Sequence, residues 1–433
     1  MIKARNNWGH WLGRGAWAVS DQGLFAVSSA LLNILLARWL TTSAYGAFAV
    51  AYSVSLFIGA FHTALLTEPM LVFGSGKYAD RWSGYLSVMV GWHWVLTGAG
   101  SLLLLCAGAT FWLIGAGLFA QAFVGLAAAA PFTFLTWLTR RAAYARLHPR
   151  LAAASSAIFL ALVVAGLFSL KFFNVINLFS AMLVMGTASA VAGIWLLSRL
   201  RGDSPRGEGQ PVASREALRG HWAYGRWALA TSILMWVPLN FFFVVLSVRV
   251  SAEASATLRA LTNLVLPLLQ ANAALGVLLL PSLVQRSIDR ASFAKLLRSA
   301  LTLFAIAASL YALAVGVSGQ MIIHVVYGGK YDSSAGLLWL LLLIPLFDGA
   351  CVVLAAALRS MERPDRVFWA NLIAACFVLT IGVAATSALG LAGAAYGMIC
   401  ADILAVMVLT ISVLACFQKV SVEEKRRAVG FAR

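Results

Sequence analysis

Apolar segments of about 20 residues recur along the whole of this 433-residue chain. Each can cross a hydrocarbon layer of roughly 30 Å as one helix. Twelve such spans are predicted, near residues 16–38, 44–67, 85–107, 111–138, 152–170, 175–198, 227–248, 257–280, 299–318, 336–358, 367–388 and 391–415. Hydrophobic residues make up 62% of the chain and charged residues 11%, against roughly 45–50% and 25% in soluble domains. We therefore predict an all-α integral membrane protein.

The distribution of basic residues predicts how the chain is oriented. A net charge of +17 would suggest a nucleic-acid partner in a soluble protein. Here the lysines and arginines concentrate in alternate segments between the spans, as the positive-inside rule requires of cytoplasmic loops. With both termini in the cytoplasm, the opposite side holds only Arg38, Lys171, Arg249, Arg259 and Lys330. We expect a multi-pass protein of the bacterial inner (cytoplasmic) membrane, surrounded by membrane lipids and without a nucleic-acid partner.

The longest hydrophilic stretch, residues 199–226, contains five glycines and two prolines and separates six spans from six. We predict an N-terminal six-helix lobe at 1–200, a flexible cytoplasmic linker at 201–226, and a C-terminal six-helix lobe with a basic cytoplasmic tail at 227–433. Two structural repeats around a central pathway are typical of transporters. The predicted architecture is therefore two six-helix lobes around a central cavity.

Enzyme chemistry is not expected from this sequence. None of the five cysteines forms a Cys-x-x-Cys pair, so no metal site is predicted. The segment Gly74-Ser-Gly-Lys77 is not a phosphate loop, because Leu71 and Tyr78 occupy the positions of the required glycine and Ser/Thr. The longest outer segment runs only from Gly319 to Ala335, too short for the catalytic outer loop of a glycan-assembly enzyme. We predict no catalytic residues, no cofactor and no metal.

The loop between the second and third spans reads Gly76-Lys-Tyr-Ala-Asp80-Arg81-Trp-Ser-Gly84. It partly resembles the loop motif of the major facilitator superfamily, in which a glycine and three residues precede Asp-Arg. The next glycine is one place late, and Tyr85 and Leu86 stand where two basic residues are expected. A major facilitator carrier of small solutes therefore stays open as an alternative.

A second resemblance is spread over nearly the whole chain. Its segments are Leu36-Ala-Arg-Trp-Leu40 with Ala44-Tyr-Gly-Ala-Phe48, Tyr327-Gly-Gly-Lys-Tyr331, Ala357-Leu-Arg-Ser-Met-Glu-Arg-Pro364 and Leu391-Ala-Gly-Ala-Ala-Tyr-Gly397. In this order they resemble helix junctions of bacterial polysaccharide exporters, the O-antigen-type flippases of the multidrug/oligosaccharidyl-lipid/polysaccharide superfamily. Thr41-Thr-Ser replaces the acidic residue that this family often carries before Tyr45.

This resemblance implies a transporter that flips a lipid-linked oligosaccharide from the inner to the outer leaflet. The substrate would be a polyprenyl-pyrophosphate-linked glycan for surface polysaccharide (O-antigen, exopolysaccharide or capsule) biosynthesis. Implied partners include a polysaccharide polymerase and chain-length regulator proteins. Two alternatives stay open: an ion-coupled drug or small-solute antiporter, and a non-enzymatic component of a polysaccharide assembly complex.

Polar side chains inside the spans are candidates for the transport pathway, because a charged group there costs about 2.5–3.5 kcal/mol. In the family that the chain resembles, helices one, two, seven and eight line the cavity. The candidates for substrate binding are Asn33, His62, Asn240, Arg259, Asn263, Gln270 and Asn272. Asn263 and Gln270 are seven residues apart and are predicted to share a helix face. Arg259 is the best candidate to contact an anionic head group, with an outer interfacial anchor as the alternative.

Two carboxylates are candidates for ion coupling, because a carboxylate can take up a proton on one side and release it on the other. These are Asp21 and Glu68, although an interfacial position is an equal alternative for Glu68. His62 could relay protons or could be a hydrogen-bonded packing residue. Arg38 and Arg249 are predicted to be basic anchors at the outer rim.

Overall fold

The computed structural model describes residues 7–202, 212–286, 289–361 and 363–430. For residues 7–15, 227, 277, 278, 281, 285 and 418–430 it describes the backbone alone. All regular secondary structure in these ranges is helical. The chain divides into two compact units, Met1–Trp236 (unit 1) and Val237–Arg433 (unit 2). The prediction of an all-α fold is confirmed.

Among its described residues, unit 1 has seven complete α-helices and the beginning of an eighth. They are α1 (Asn7–Trp39), α2 (Thr42–His62), α3 (Glu68–Ser75), α4 (Trp82–Leu113), α5 (Gly117–Ala145), α6 (Pro149–Phe172), α7 (Leu178–Gly202) and the start of α8 (Ser214–Arg249). A π-helical segment, Thr63–Thr67, joins α2 to α3. The second span therefore continues to Ser75, beyond its predicted end at residue 67.

The central helix of unit 1 is α5, which packs along both α4 and α7, while α1 packs along α6. Small residues allow this close approach. Gly186 of α7 lies directly against Ala129 of α5, where an added Cβ would come within 2.9 Å of the Ala129 Cα. In lipid, where no hydrophobic driving force pushes helices together, such small-residue contacts let the backbones gain van der Waals packing.

The part of unit 2 that the structure describes contains the rest of α8 and eight further α-helices. They are α9 (Ala252–Asn263), α10 (Leu266–Gln285), α11 (Arg290–Val317), α12 (Gly319–Tyr327), α13 (Leu338–Leu341), α14 (Ile344–Ser360), α15 (Pro364–Phe377) and α16 (Val383–Gly430). A π-helical segment, Val378–Gly382, joins α15 to α16. In this unit α14 packs against α10, α11 and α16.

Within the described residues, ten helical stretches are long and apolar enough to cross a membrane. One of them, Pro364–Phe417, has 54 residues, and a straight helix of that length would measure about 80 Å, far more than a bilayer core of roughly 30 Å. It bends at Gly390, whose φ of 60° only glycine adopts readily. The bend separates the eleventh predicted span from the twelfth. The eighth predicted span corresponds to α9 and α10. Each of the twelve predicted spans therefore has a helical counterpart.

The eighth span was predicted as a single helix, but it consists of two. Helix α9 ends at Asn263 and α10 begins at Leu266. Pro267 stands at the beginning of α10, where its missing N–H leaves no hydrogen bond unmade. Because this break lies between Asn263 and Gln270, the rule for a spacing of seven within one helix does not apply to them directly. Their shared face stays a prediction.

The predicted flexible linker is partly helical. From Ser214 onward its residues form the beginning of α8, and Val212 and Ala217 are buried in an apolar cluster of unit 1 with Tyr85 and Leu86. Residues 203–211 lie outside the described ranges. The boundary between the two units falls inside α8, and the domain limits at 200 and 227 stay predictions.

The segments that carry the family resemblance have structural roles. Tyr327 and Tyr331 are fully buried, and their rings meet edge to face at 5.4 Å between centroids. Between them, Gly328 and Gly329 have φ of 66° and 83°, which side-chain-bearing residues rarely adopt. Tyr45 at the first junction is also fully buried. These residues form helix junctions. The family resemblance therefore lies at positions that shape the fold.

Candidate functional site

Asp21 of α1 lies in a closed polar cluster inside unit 1. Arg140 of α5 donates two hydrogen bonds to it, from Nε to Oδ1 at 3.0 Å and from Nη2 to Oδ2 at 2.7 Å. The hydroxyl of Tyr144 donates to Oδ2 at 2.7 Å, and that of Ser156 on α6 donates to Oδ1 at 2.5 Å. The Asp21 carboxylate is completely buried. The cluster therefore ties α1, α5 and α6 together.

The Arg140 guanidinium also lies over the ring of Phe25, with its central carbon 4.1 Å from the ring centroid. A buried charge is tolerated only when it is paired and hydrogen-bonded, and this pair meets both conditions. The ion-coupling role of Asp21 stays a prediction, because its four hydrogen bonds already account for a structural role.

His62, at the end of α2, pairs with His93 of α4. Nε2 of His62 lies 3.0 Å from Nδ1 of His93, and both rings are fully buried. The His62 ring also stacks on Phe134 of α5, with centroids 5.3 Å apart. Within the described residues, Nδ1 of His62 has no hydrogen-bond partner, while the backbone carbonyl of Pro131 lies beside the His93 ring. His62 is therefore a hydrogen-bonded core residue, and its relay and substrate-binding roles stay predictions.

The tautomers of this histidine pair are coupled. A neutral imidazole carries one N–H and one lone pair, so the nitrogen that donates in one ring fixes the acceptor in the other. Either arrangement leaves one outer N–H and one outer lone pair in the interior of unit 1. Exchanging these two outer groups requires transfer of the shared proton, loss of the outer proton from one ring and gain of a proton at the outer nitrogen of the other.

The remaining candidates of unit 1 differ in exposure. Asn33 is buried, and its Nδ2 donates to the carbonyl oxygen of Ser29 at 2.9 Å within α1. Glu68 is exposed at the beginning of α3, close enough to Arg141 for their charges to interact. Arg38 is exposed in the last turn of α1, where a cation stabilises the helix C-terminus. This position suits the predicted anchor role of Arg38.

In unit 2, Arg259 is buried, with only 5% of its surface exposed. Its guanidinium carbon lies 3.8 Å from the centroid of the Phe243 ring, a close cation–π contact. An anchor that extends into the interface would be exposed, so the alternative of an outer interfacial anchor does not fit. Arg249, by contrast, is exposed in the last turn of α8, as an anchor would be.

The amide candidates of unit 2 fall into different environments. Asn272 is buried and donates to the Pro345 carbonyl oxygen and to Oδ2 of Asp348, each at 2.9 Å. Asn240 and Asn263 are also buried. Gln270 is exposed. Asn272 therefore links α10 to α14, and its role in binding substrate stays a prediction.

The beginning of α8 is docked on other segments of unit 1 through polar contacts that the sequence did not reveal. Nζ of Lys77 lies 2.7 Å from Oε1 of Glu216 at the exposed edge. Deeper in, Nδ1 of His221 lies 2.9 Å from the Leu65 carbonyl oxygen, and its Nε2 lies 2.6 Å from the Tyr85 hydroxyl oxygen. Because a carbonyl can only accept, Nδ1 carries the proton and the Tyr85 hydroxyl donates to Nε2. Burial lowers the pKa of His221, which precedes the span Ala228–Arg249.

Sequence reasoning missed Arg140, Tyr144, Ser156 and His93. Arg140 was assigned to a cytoplasmic loop, because the fourth span was predicted to end at residue 138, whereas α5 runs to Ala145. One signal could have found it: Asp21 inside a span needs a cation, and Arg140 and Tyr144 are four residues apart on one helix face. Within the described ranges, no three His, Cys, Asp or Glu side chains group so as to hold a metal ion.

Comparisons with known proteins find similar folds but no similar family model or curated sequence. No protein-family model matches the chain. No curated protein matches it either. Among solved structures, an inward-facing multidrug resistance MATE family transporter of the MOP superfamily is 10% identical, with a TM-score of 0.75 over 94% of this chain and 99% of the other.

Two further structures are similar. The lipid II flippase MurJ in an inward closed conformation is 15% identical, with a TM-score of 0.70 over 94% of this chain and 90% of MurJ. A MOP superfamily transporter from Pyrococcus furiosus is 12% identical, with a TM-score of 0.64 over 94% of this chain and 96% of the other. The chain therefore has the fold of MOP-superfamily transporters, with twelve membrane-spanning helices in two lobes.

Proposed function

We propose that this chain is a membrane transporter that flips a lipid-linked oligosaccharide, carried on a polyprenyl pyrophosphate, to the outer leaflet. The observation that carries the proposal is the fold shared with a lipid II flippase over nearly the whole chain. The junction segments that resemble polysaccharide exporters point in the same direction. On this proposal the protein lies in the bacterial inner membrane with both termini in the cytoplasm, and it works with a polysaccharide polymerase and chain-length regulator proteins.

The chemistry of the substrate explains which side chains such a protein needs. Each sugar hydroxyl taken unpaired into an apolar medium costs several kcal/mol, so polar protein groups must replace water along the path. A pyrophosphate needs cations, and arginine is well suited because its planar fork can bind phosphate oxygens in pairs. Arg259, buried against Phe243, supplies a positive charge on a span of unit 2. We propose that it contacts the pyrophosphate.

A drug antiporter is the second candidate, because multidrug transporters share the fold. The two functions make different demands on charge. A cationic drug requires accessible carboxylates, whereas a pyrophosphate requires accessible cations. The Asp21 carboxylate is neutralised by Arg140, while Arg259 has an aromatic ring against its guanidinium. Because Arg140 already neutralises Asp21, this carboxylate has no free charge to offer a cationic drug.

Deletion of the gene, followed by extraction of lipid-linked sugars, tests the proposal. Surface glycan should fall, and the lipid-linked intermediate should accumulate on the cytoplasmic face; both effects should reverse on complementation. Normal surface glycan without accumulation would contradict the flippase function. In the same strains, a loss of resistance to cationic drugs with unchanged glycan would identify the antiporter.

A further inference from the structure

The neighbouring ends of α6 and α7 enclose a groove of about 400 Å³ in unit 1, here called the α6–α7 groove. Its lining consists of Arg150, Leu151 and Ala154 from α6, and Trp195 and Arg199 from α7. Arg150 is the second residue of α6, and Arg199 lies in the last turn of α7. The two arginines therefore lie at the same end of two adjacent membrane-spanning helices.

Both guanidinium groups keep their charge available for a ligand. That of Arg150 lies over the ring of Trp17, and that of Arg199 lies over the ring of Trp195, each at 5.7 Å from the centroid. Such contacts hold a guanidinium in place without neutralising it. Within the described part of the chain, neither arginine takes part in an ion pair. The groove thus concentrates two positive charges.

The groove becomes apolar toward the interior of the spans. Ile158 lies four residues beyond Ala154 on α6, and Val191 lies four residues before Trp195 on α7, so both continue the same helix faces. Val191 is 52% exposed and Ile158 is partly exposed. Basic residues at the helix ends, tryptophan beside them and an exposed apolar strip beyond match the profile of a phospholipid across the membrane interface.

We propose that the α6–α7 groove binds the anionic head group of a bilayer phospholipid, with one acyl chain along Ile158 and Val191. Arg150 and Arg199 bind the phosphate oxygens by charge-assisted hydrogen bonds. A free phosphate has the same head chemistry but cannot use the apolar strip. The site lies entirely within unit 1 and does not depend on the proposed transport function.

Native mass spectrometry of the purified, delipidated full-length protein tests this site with two probes, phosphatidylglycerol and phosphatidylcholine. The wild type should retain phosphatidylglycerol in preference to phosphatidylcholine. The double variant R150Q/R199Q should bind phosphatidylglycerol about thirtyfold more weakly, because each arginine near an anionic lipid surface contributes about 1 kcal/mol and every 1.4 kcal/mol is tenfold in affinity. The double variant R215Q/R219Q is the matched control, since it removes two exposed arginines of α8 outside the groove, and it should bind as the wild type does.

The thermal unfolding midpoint without added lipid should be the same for both double variants, so that weaker binding cannot arise from misfolding.

Equal retention of the two lipids by the wild type would overturn the proposal, as would undiminished phosphatidylglycerol binding by R150Q/R199Q. Complete displacement of phosphatidylglycerol by excess inorganic phosphate would make the groove a free-phosphate site. Tighter binding of a polyprenyl diphosphate than of phosphatidylglycerol would assign it to a transport substrate. Either result would overturn the phospholipid assignment.

Discussion

Asp21 and Arg140 form two parallel hydrogen bonds, 3.0 and 2.7 Å long, between α1 and α5 in the interior of unit 1. They are 119 residues apart in the sequence. Tyr144 and Ser156 satisfy the same carboxylate. Because Asp21 and Arg140 are both buried, the pair cannot lose one member without leaving the other charge in an apolar interior.

Replacement of Asp21 by Asn should destabilise unit 1. Removing one partner of a buried ion pair typically costs about 3–5 kcal/mol, because the remaining charge is uncompensated. The double variant D21L/R140M, which removes both charges, should recover most of that loss. Unfolding in detergent micelles, followed by circular dichroism, measures both effects.

The same double variant separates structure from ion coupling. If D21L/R140M is as stable as the wild type and still transports under an ion gradient, Asp21 has a structural role alone. A stable double variant without gradient-driven transport would support the coupling role. Wild-type stability of D21N would contradict the structural argument.

The His62–His93 pair should show strong energetic coupling. Either His62→Leu or His93→Leu leaves one buried imidazole without its partner, which is expected to cost about 1–3 kcal/mol. The double variant H62L/H93L removes both polar groups and should be less destabilised than the sum of the single variants. A double-mutant cycle of unfolding free energies measures this coupling, and simple additivity would show that the 3.0 Å contact contributes nothing.

The docking of the beginning of α8 should weaken in mild acid. Burial places the pKa of His221 below the ordinary value of 6.5 in the folded protein. The undocked state therefore binds more protons as the pH falls below 6.5, so the docked state is fully stable above that pH and loses stability below it. Hydrogen exchange of residues 214–226, corrected for intrinsic rates, should be faster at pH 5.5 than at pH 7.5.

The nearby ion pair should not contribute to this change. Glu216 has its pKa lowered from 4.5 by Lys77, and Lys77 has its pKa raised from 10.5 by Glu216. Both groups stay charged between pH 5.5 and 7.5. The control variant H221Q should therefore lose the pH dependence, and its persistence in H221Q would exclude His221 as the cause.

Replacement of Arg259 by Met should abolish glycan export while protein abundance stays near that of the wild type. Met keeps an apolar side chain of similar length beside the Phe243 ring, but it carries no charge and cannot bind pyrophosphate. Export is measured as surface glycan in the complemented deletion strain. Arg249→Met removes an exposed arginine ten residues earlier and should export normally. Full export by the Arg259→Met variant would show that this arginine has a packing role alone.

The number and order of the spans were predictable from the sequence. Lipid requires each crossing helix to be long and apolar, so every span leaves a local signal. The bend at Gly390 and the turn at Gly328 and Gly329 follow from local chemistry as well, because these backbone conformations favour glycine.

Pairing between distant residues was decided only by the tertiary structure. In the sequence, Asp21 is an isolated carboxylate and His62 is a lone histidine. In the structure, Arg140 of α5 lies beside Asp21, and His93 of α4 lies beside His62. The docking of His221 on Tyr85 depends equally on neighbours remote in the chain. Hydropathy reports the preference of one residue for lipid or water, whereas a hydrogen bond depends on two positions that only packing brings together.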